Sequence, residues 1–199
     1  MPMSLRNLLV IVMALAVLGC SSAADHGPDG PEATSEKIAA AKARLRFESQ
    51  HVIRSDDELK ALMSRELDDV MRIVTTENNY LTLFQVRYWC AEHLDESLPR
   101  LIDLLTIEKF VGLKNTADLI IYERIATGDL QSYGHGGVVD DDLFCVSGRA
   151  SWILKELIGQ ELGVVGMKTD YAAKKLLQAK WMKFEERRNA GEKIQDNGR

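Results

Sequence analysis

The chain has little of what staples or punctuates small folds. Three cysteines and four prolines among 199 residues exclude a disulfide-dense scaffold, which uses cysteine far more heavily. No segment keeps the alternation of apolar and polar residues that marks a half-buried strand, which excludes a β-sandwich or barrel. The longest apolar run, Leu8 to Leu18, is too short to cross a bilayer as a helix. Basic charge is not in excess either. With 25 Lys/Arg against 30 Asp/Glu, the chain lacks the phosphate-neutralising footprint of a nucleic-acid binder.

What the chain does have is helical periodicity. Val86 to Leu105, VRYWCAEHLDESLPRLIDLL, reads as two amphipathic helices joined by a tight turn. Val86, Cys90, Ala91 and Leu94 form one stripe, and Leu101, Ile102, Leu104 and Leu105 form a second. Ser97 is placed as the N-cap of the second helix, with Pro99 just inside it. Ser35 to His51 has helical composition but a thin apolar face of Ile38, Ala41, Leu45 and Phe47, so a weakly docked helix is expected. Ser55 with Glu58 matches a capping box, and the apolar side that follows runs from Leu59 to about Thr76. A further helix is expected from Thr116 to Gly128, and another from Gly148 to Ile158, ended by Gly159 or Gly163. The last helix runs from Thr169-Asp170 to about Arg188, with Ala172, Leu176, Leu177, Lys180, Trp181 and Phe184 inward. Between Thr127 and Gly148 lies a glycine-rich stretch with no helical period, of the kind that is functional or disordered.

The N-terminus has the form of a targeting segment: Arg6, the run Leu8 to Leu18, then Val17-Leu18-Gly19-Cys20. These four residues resemble the lipobox of bacterial lipoproteins. The resemblance implies cleavage before Cys20 and acylation of that cysteine, palmitate among the chains, with no cofactor beyond this covalent lipid. Residues 1–19 would then be the signal peptide. Residues 20–34 would be the lipidated cysteine with a flexible tether rich in Ser, Ala, Gly and Pro, residues 35–190 the helical domain, and 191–199 a polar tail. The folded part would sit in the cell envelope, outside the cytoplasm, on a bacterial membrane. Arg6 is the single charged residue of the first twenty, so the remainder carries 24 basic and 30 acidic residues. The imbalance is uneven. Residues 168–199 hold nine Lys/Arg and five Asp/Glu, against 15 and 25 in residues 21–167. The charges of the last helix read as an ordinary solvated face, some pairing with acids of its neighbour. Contact with anionic head groups is the competing reading.

Aligning the helices puts Cys90, Ala117 and Ala150 in one column, with Leu94, Ile121 and Leu154 four residues later. A small residue lets helices approach, and the large one fills the groove. Val86-Arg87, Cys90-Ala91, Leu94, Pro99 and the Leu101-Ile102/Leu104-Leu105 pair resemble a unit of bacterial HEAT-like repeat proteins. The segment Gly148 to Gly159, with Trp181 and Phe184, looks like a terminal unit. The resemblance implies an all-α fold, a short and irregular HEAT-like α-solenoid of stacked helix pairs, serving as a binding scaffold without catalytic residues.

The candidate site is the loop Gly134-His135-Gly136-Gly137 with Asp140, Asp141, Asp142 and Cys145. A histidine and carboxylates this close suit a divalent metal or a small ligand, with glycines to fold them inward. The plainer reading is a polar loop whose acids cap the next helix. Neither the calcium-loop template nor the P-loop spacing is present. Gly-x-Ser-x-Gly is absent, and His26, His51, His93 and His135 show no triad spacing, so no enzyme is expected. Trp89, Trp152 and Trp181 read as core residues. Cys90 and Cys145 are either bridged or two buried thiols, and spacing leaves both open. The function expected is a membrane-anchored scaffold that binds another envelope protein; the alternative is a metal- or ligand-binding protein using loop 134–145.

Overall fold

The computed structural model describes residues 31–131 and 136–196. The expected signal peptide, Cys20, most of the tether, Gly134 and His135 lie outside the described residues. The described residues from Pro31 on belong to one compact unit, and among them the hydrophobic core runs from Ile38 to Phe184.

The protein is mostly helical. Its helices are α1 (Pro31–Ser49), α2 (Asp56–Met63), α3 (Leu67–Thr76), α4 (Tyr80–Glu92), α5 (Leu94–Leu104), α6 (Tyr122–Ala126), α7 (Val146–Ile158) and α8 (Tyr171–Asp196). Two short strands, β1 (Leu119–Ile120) and β2 (Gly137–Val138), pair in parallel with Leu119 opposite Gly137. Local signals explain several boundaries. Ser55 accepts the Glu58 N–H and the Glu58 carboxylate accepts the Arg54 N–H, so both ends of the α2 cap are satisfied. Asn79 caps α4 by accepting from Leu81 N–H. Gly159 ends α7 in the left-handed conformation, at φ 65°. It also faces α1, where a Cβ would meet the Lys37 carbonyl and Ala41 at van der Waals distance.

Helix α7 is the hub. It packs against α1, α3, α4 and α5, and Ala150, Ile153, Leu154 and Ile158 on it are buried completely. Trp89, Trp152 and Trp181 are all core residues. Helix α1 packs on α4, α7 and α8, so contacts reach across the chain and not only between sequence neighbours.

Several expectations need correction. α1 is firmly docked: Ala41, Leu45 and Ser49 are buried, while Phe47 points out. A thin stripe suffices because Ala41 and Gly159 let the backbones close. The stretch from Leu59 to Thr76 is two helices, not one, broken at Ser64, whose hydroxyl donates to the Ala61 carbonyl. Ser97 is no cap: it is buried inside α5, where its hydroxyl donates to the Cys90 carbonyl. The helix expected from Thr116 is replaced by β1 and the five-residue α6. Ala117 is therefore exposed and off any helix, and the column it was to share holds only at Cys90 and Ala150, both fully buried. In α8, Leu177, Trp181 and Phe184 face inward as expected, but Ala172 and Lys180 are exposed, Leu176 is 68% exposed, and Lys174 takes an inward position.

Candidate functional site

The acidic run leads from β2 into α7, and the structure separates its three carboxylates. Asp140 is exposed. Asp141 is fully buried: it accepts the Val165 N–H at 2.8 Å and meets the Lys155 ammonium at 2.6 Å. Burial raises its pKa, with Lys155 pulling the other way. Asp142, also buried, takes a two-pronged contact from Arg124 of α6, Nε to Oδ1 at 2.9 Å and Nη2 to Oδ2 at 2.7 Å. The same guanidinium reaches Asp129 at 2.9 Å and lies over the Phe144 ring. Its pKa is raised, first by the hydrogen bond to Asp142. Two of the three acids are thus held by separate cations and do not converge on one point. Among the described residues, no group of three His, Cys, Asp or Glu is placed to hold a metal ion.

The two cysteines differ in setting as well. Cys90 and Cys145 are both free thiols in this structure. Cys90 is sealed on α4, and burial pushes its thiol up to about 12. Cys145 stands at the N-cap position of α7, its Sγ 3.9 Å from Arg124 Nη2. Burial and the neighbouring Asp142 push its thiol up to about 11.

Two buried arginines went unmarked at the level of sequence. Arg149 on α7 has no carboxylate partner; its guanidinium donates to four carbonyls, those of Leu143 (2.7 Å), Val74 (3.0 Å), Glu77 (2.6 Å) and Gly112 (2.7 Å). Burial lowers its pKa to about 10. Arg87 on α4 instead meets Glu156 at 2.9 Å and Glu48 at 3.2 Å, its guanidinium lying over Phe84 and Trp152. Arg44 bridges the same two glutamates. Both arginines are structural anchors.

An open concavity lies elsewhere, where the chain turns from α1 into α2 over Tyr88 of α4. The Val52 and Ile53 N–H groups bond back to the Ser49 carbonyl, and Ser55 then starts α2. The turn leaves a cleft of about 290 Å³ lined by Arg46, Gln50, Arg54, Asp56 and Tyr88, with Ile53 and Leu59 as apolar wall. Among the described residues, Arg46 and Arg54 have no carboxylate within ion-pair distance. The Tyr88 phenol is pushed up by burial and by Glu92. Two uncommitted guanidinium forks beside apolar wall suit a carboxylate-bearing surface with a nonpolar side chain next to it. Arg46, Arg54 and Tyr88 have no sequence spacing that would have linked them; only the docking of α1 on α4 brings them together.

Among the described residues, no helix is long and apolar enough to cross a membrane. Compared with known proteins, the chain matches no family model, no curated sequence and no solved structure.

Proposed function

We propose that this is a non-enzymatic lipoprotein of a bacterial cell envelope, anchored through an acylated Cys20, whose helical domain is an interaction scaffold for another envelope protein. The stacked pair α4–α5, together with α7, is its HEAT-like part, an irregular array against which α1 is laid. The observation that carries the reading is the cleft at the α1–α2 turn, with two guanidiniums that no carboxylate meets within ion-pair distance among the described residues. An acidic segment of a partner would supply the missing charge, and Ile53 and Leu59 would bury an apolar neighbour. The acids of the 140–142 run do not compete for this role, since Asp141 and Asp142 are already closed by Lys155 and Arg124.

Two measurements test the reading separately. Intact-mass analysis of the protein from its own membrane reports on the anchor: a lipid adduct on a chain starting at Cys20 is expected, and its absence removes the membrane assignment. Affinity capture from detergent-solubilised membranes reports on the cleft. Arg46→Glu with Arg54→Glu should lose a partner that the wild type retains. If the two capture the same proteins in equal amount, the cleft is not the docking surface.

A further inference from the structure

We infer that the outward face of α8 lies on an anionic membrane surface. The inference takes its opportunity from the lipid-anchored reading above, but its observations are independent of the anchor. Leu177, Trp181 and Phe184 hold α8 to the core, and two of its cations are committed to the domain: Lys174 to Glu108 at 2.9 Å and Arg188 to Asp95 at 2.7 Å. The exposed arc of the helix carries Lys175 and Lys183, with Lys180 and Arg187 along one edge and the exposed Glu186 among them. Lys175 bonds to the Gln178 amide, Lys180 to the Leu162 carbonyl, and the Arg187 Nε to the Lys183 carbonyl. Among the described residues none of these four meets a carboxylate within ion-pair distance.

Apolar side chains share that arc. Leu176 is 68% exposed, Met182 50% and Tyr171 51%, with Ala172 and Ala179 also exposed between them. A single exposed leucine needs no explanation. Exposed Leu, Met and Tyr spread round the outer arc of one helix with four cations that meet no carboxylate, against one exposed acid, Glu186, are a different matter. This is the composition that settles at the head-group boundary, where apolar groups enter the acyl edge and long basic side chains reach back to phosphate. A second copy of the chain fits poorly, because pairing two such faces would set like charges together. The distribution of charge also gives a direction. With 15 basic against 25 acidic residues, the stretch 21–167 is net negative and is repelled by an anionic leaflet, while α8 is attracted. Such a surface therefore orients the domain as well as holding it.

The test uses residues 31–199, the compact unit with its own core, so neither acylation nor the apolar N-terminus contributes. Co-sedimentation is measured with vesicles of equal parts phosphatidylglycerol and phosphatidylcholine, and with phosphatidylcholine alone. Binding to the first only, released by high salt, is expected. Lys180→Gln, Lys183→Gln and Arg187→Gln together should weaken binding about 100-fold, at about fivefold per basic residue. Leu176→Ser with Met182→Ser should weaken it further at fixed charge, and unchanged thermal unfolding shows that either variant is folded. Equal binding to both vesicle types, binding to neither, or indifference to the triple substitution overturns the proposal, as does a domain that captures an acidic protein yet ignores vesicles. A lipid adduct missing from the full chain would remove the anchor but leave this result standing.

Discussion

Arg87 and Arg149 are both arginines buried at the heart of the helical packing, and they are satisfied in opposite ways. Arg87 stands among charges and rings: two glutamates face it, and Phe84 and Trp152 carry its guanidinium. Arg149 faces carbonyls only, and these belong to stretches far apart in the chain: the end of α3, the loop at Gly112 and the turn before α7. A carboxylate would compensate charge at one point. Four carbonyls carry no full charge to set against it, and burial lowers the pKa to about 10, but they pull three segments onto one side chain. Arg149 is therefore a splice between loops, while Arg87 is one member of a network that also contains Arg44.

The difference predicts unequal losses. Arg149→Met strands four carbonyls, several of them buried, and should cost about 4 kcal/mol, since each unmet buried acceptor costs about 1–3 kcal/mol before water relieves the outer ones. Arg87→Met leaves Glu48 and Glu156 still paired with Arg44 and should cost about 2 kcal/mol, largely from the lost ring contacts. Urea unfolding of both variants decides the order. Equal costs would mean that Arg149 does not act as a splice. Gly148 beside it admits no test by enlargement, because an added Cβ would collide with the Asp142 backbone.

A smaller contrast concerns the aligned leucines. Leu154 is fully buried on the hub helix, whereas Leu94 opens α5 and is only half-buried. Leu154→Ala should cost about 3 kcal/mol, within the range for buried leucines, and Leu94→Ala about 1 kcal/mol. Matching losses would restore the equivalence that the sequence column implies. A loss below about 0.5 kcal/mol for Leu154→Ala would displace α7 from the centre of the core.

These contrasts mark where sequence stops being informative. Features written within one turn of chain were legible: the Ser55–Glu58 cap, the Gly159 stop, the inward Trp181 and Phe184, and the burial of Cys90 and Ala150. Features that depend on a distant partner were not. The face of α1 looked too thin to dock because its counterpart, Gly159, lies more than a hundred residues away. Asp141 and Asp142 resembled ligands because their cations, Lys155 and Arg124, sit on other elements. Leu176 was assigned inward because helical spacing admits it beside Leu177; the packing on α5 and α1 chose Lys174, Leu177, Trp181 and Phe184 instead. The cleft residues Arg46, Arg54 and Tyr88 lie on α1, on the turn after it and on α4, and share no motif at all.

The two cysteines sharpen the contrast between the Arg87 and Arg149 regions, because each helix carries one. Cys90 is sealed on α4, three residues from Arg87, with its thiol pushed up to about 12. Cys145 is half-buried at the head of α7, four residues from Arg149, with its thiol at about 11. Only the thiolate attacks a disulfide reagent. At pH 8 burial keeps both thiols almost wholly protonated. A raised thiol pKa means that labelling accelerates with pH, about tenfold per unit until the pKa is reached. Cys145 should therefore label slowly in the folded protein and follow that slope, while Cys90 should wait for the core to open. In Arg149→Met, loosening the splice should speed Cys145 without moving Cys90; in Arg87→Met the order should reverse. Mass-resolved labelling with a disulfide reagent reads both sites at once. If both cysteines accelerate together in either variant, the two regions open as one unit and the distinction between them is lost.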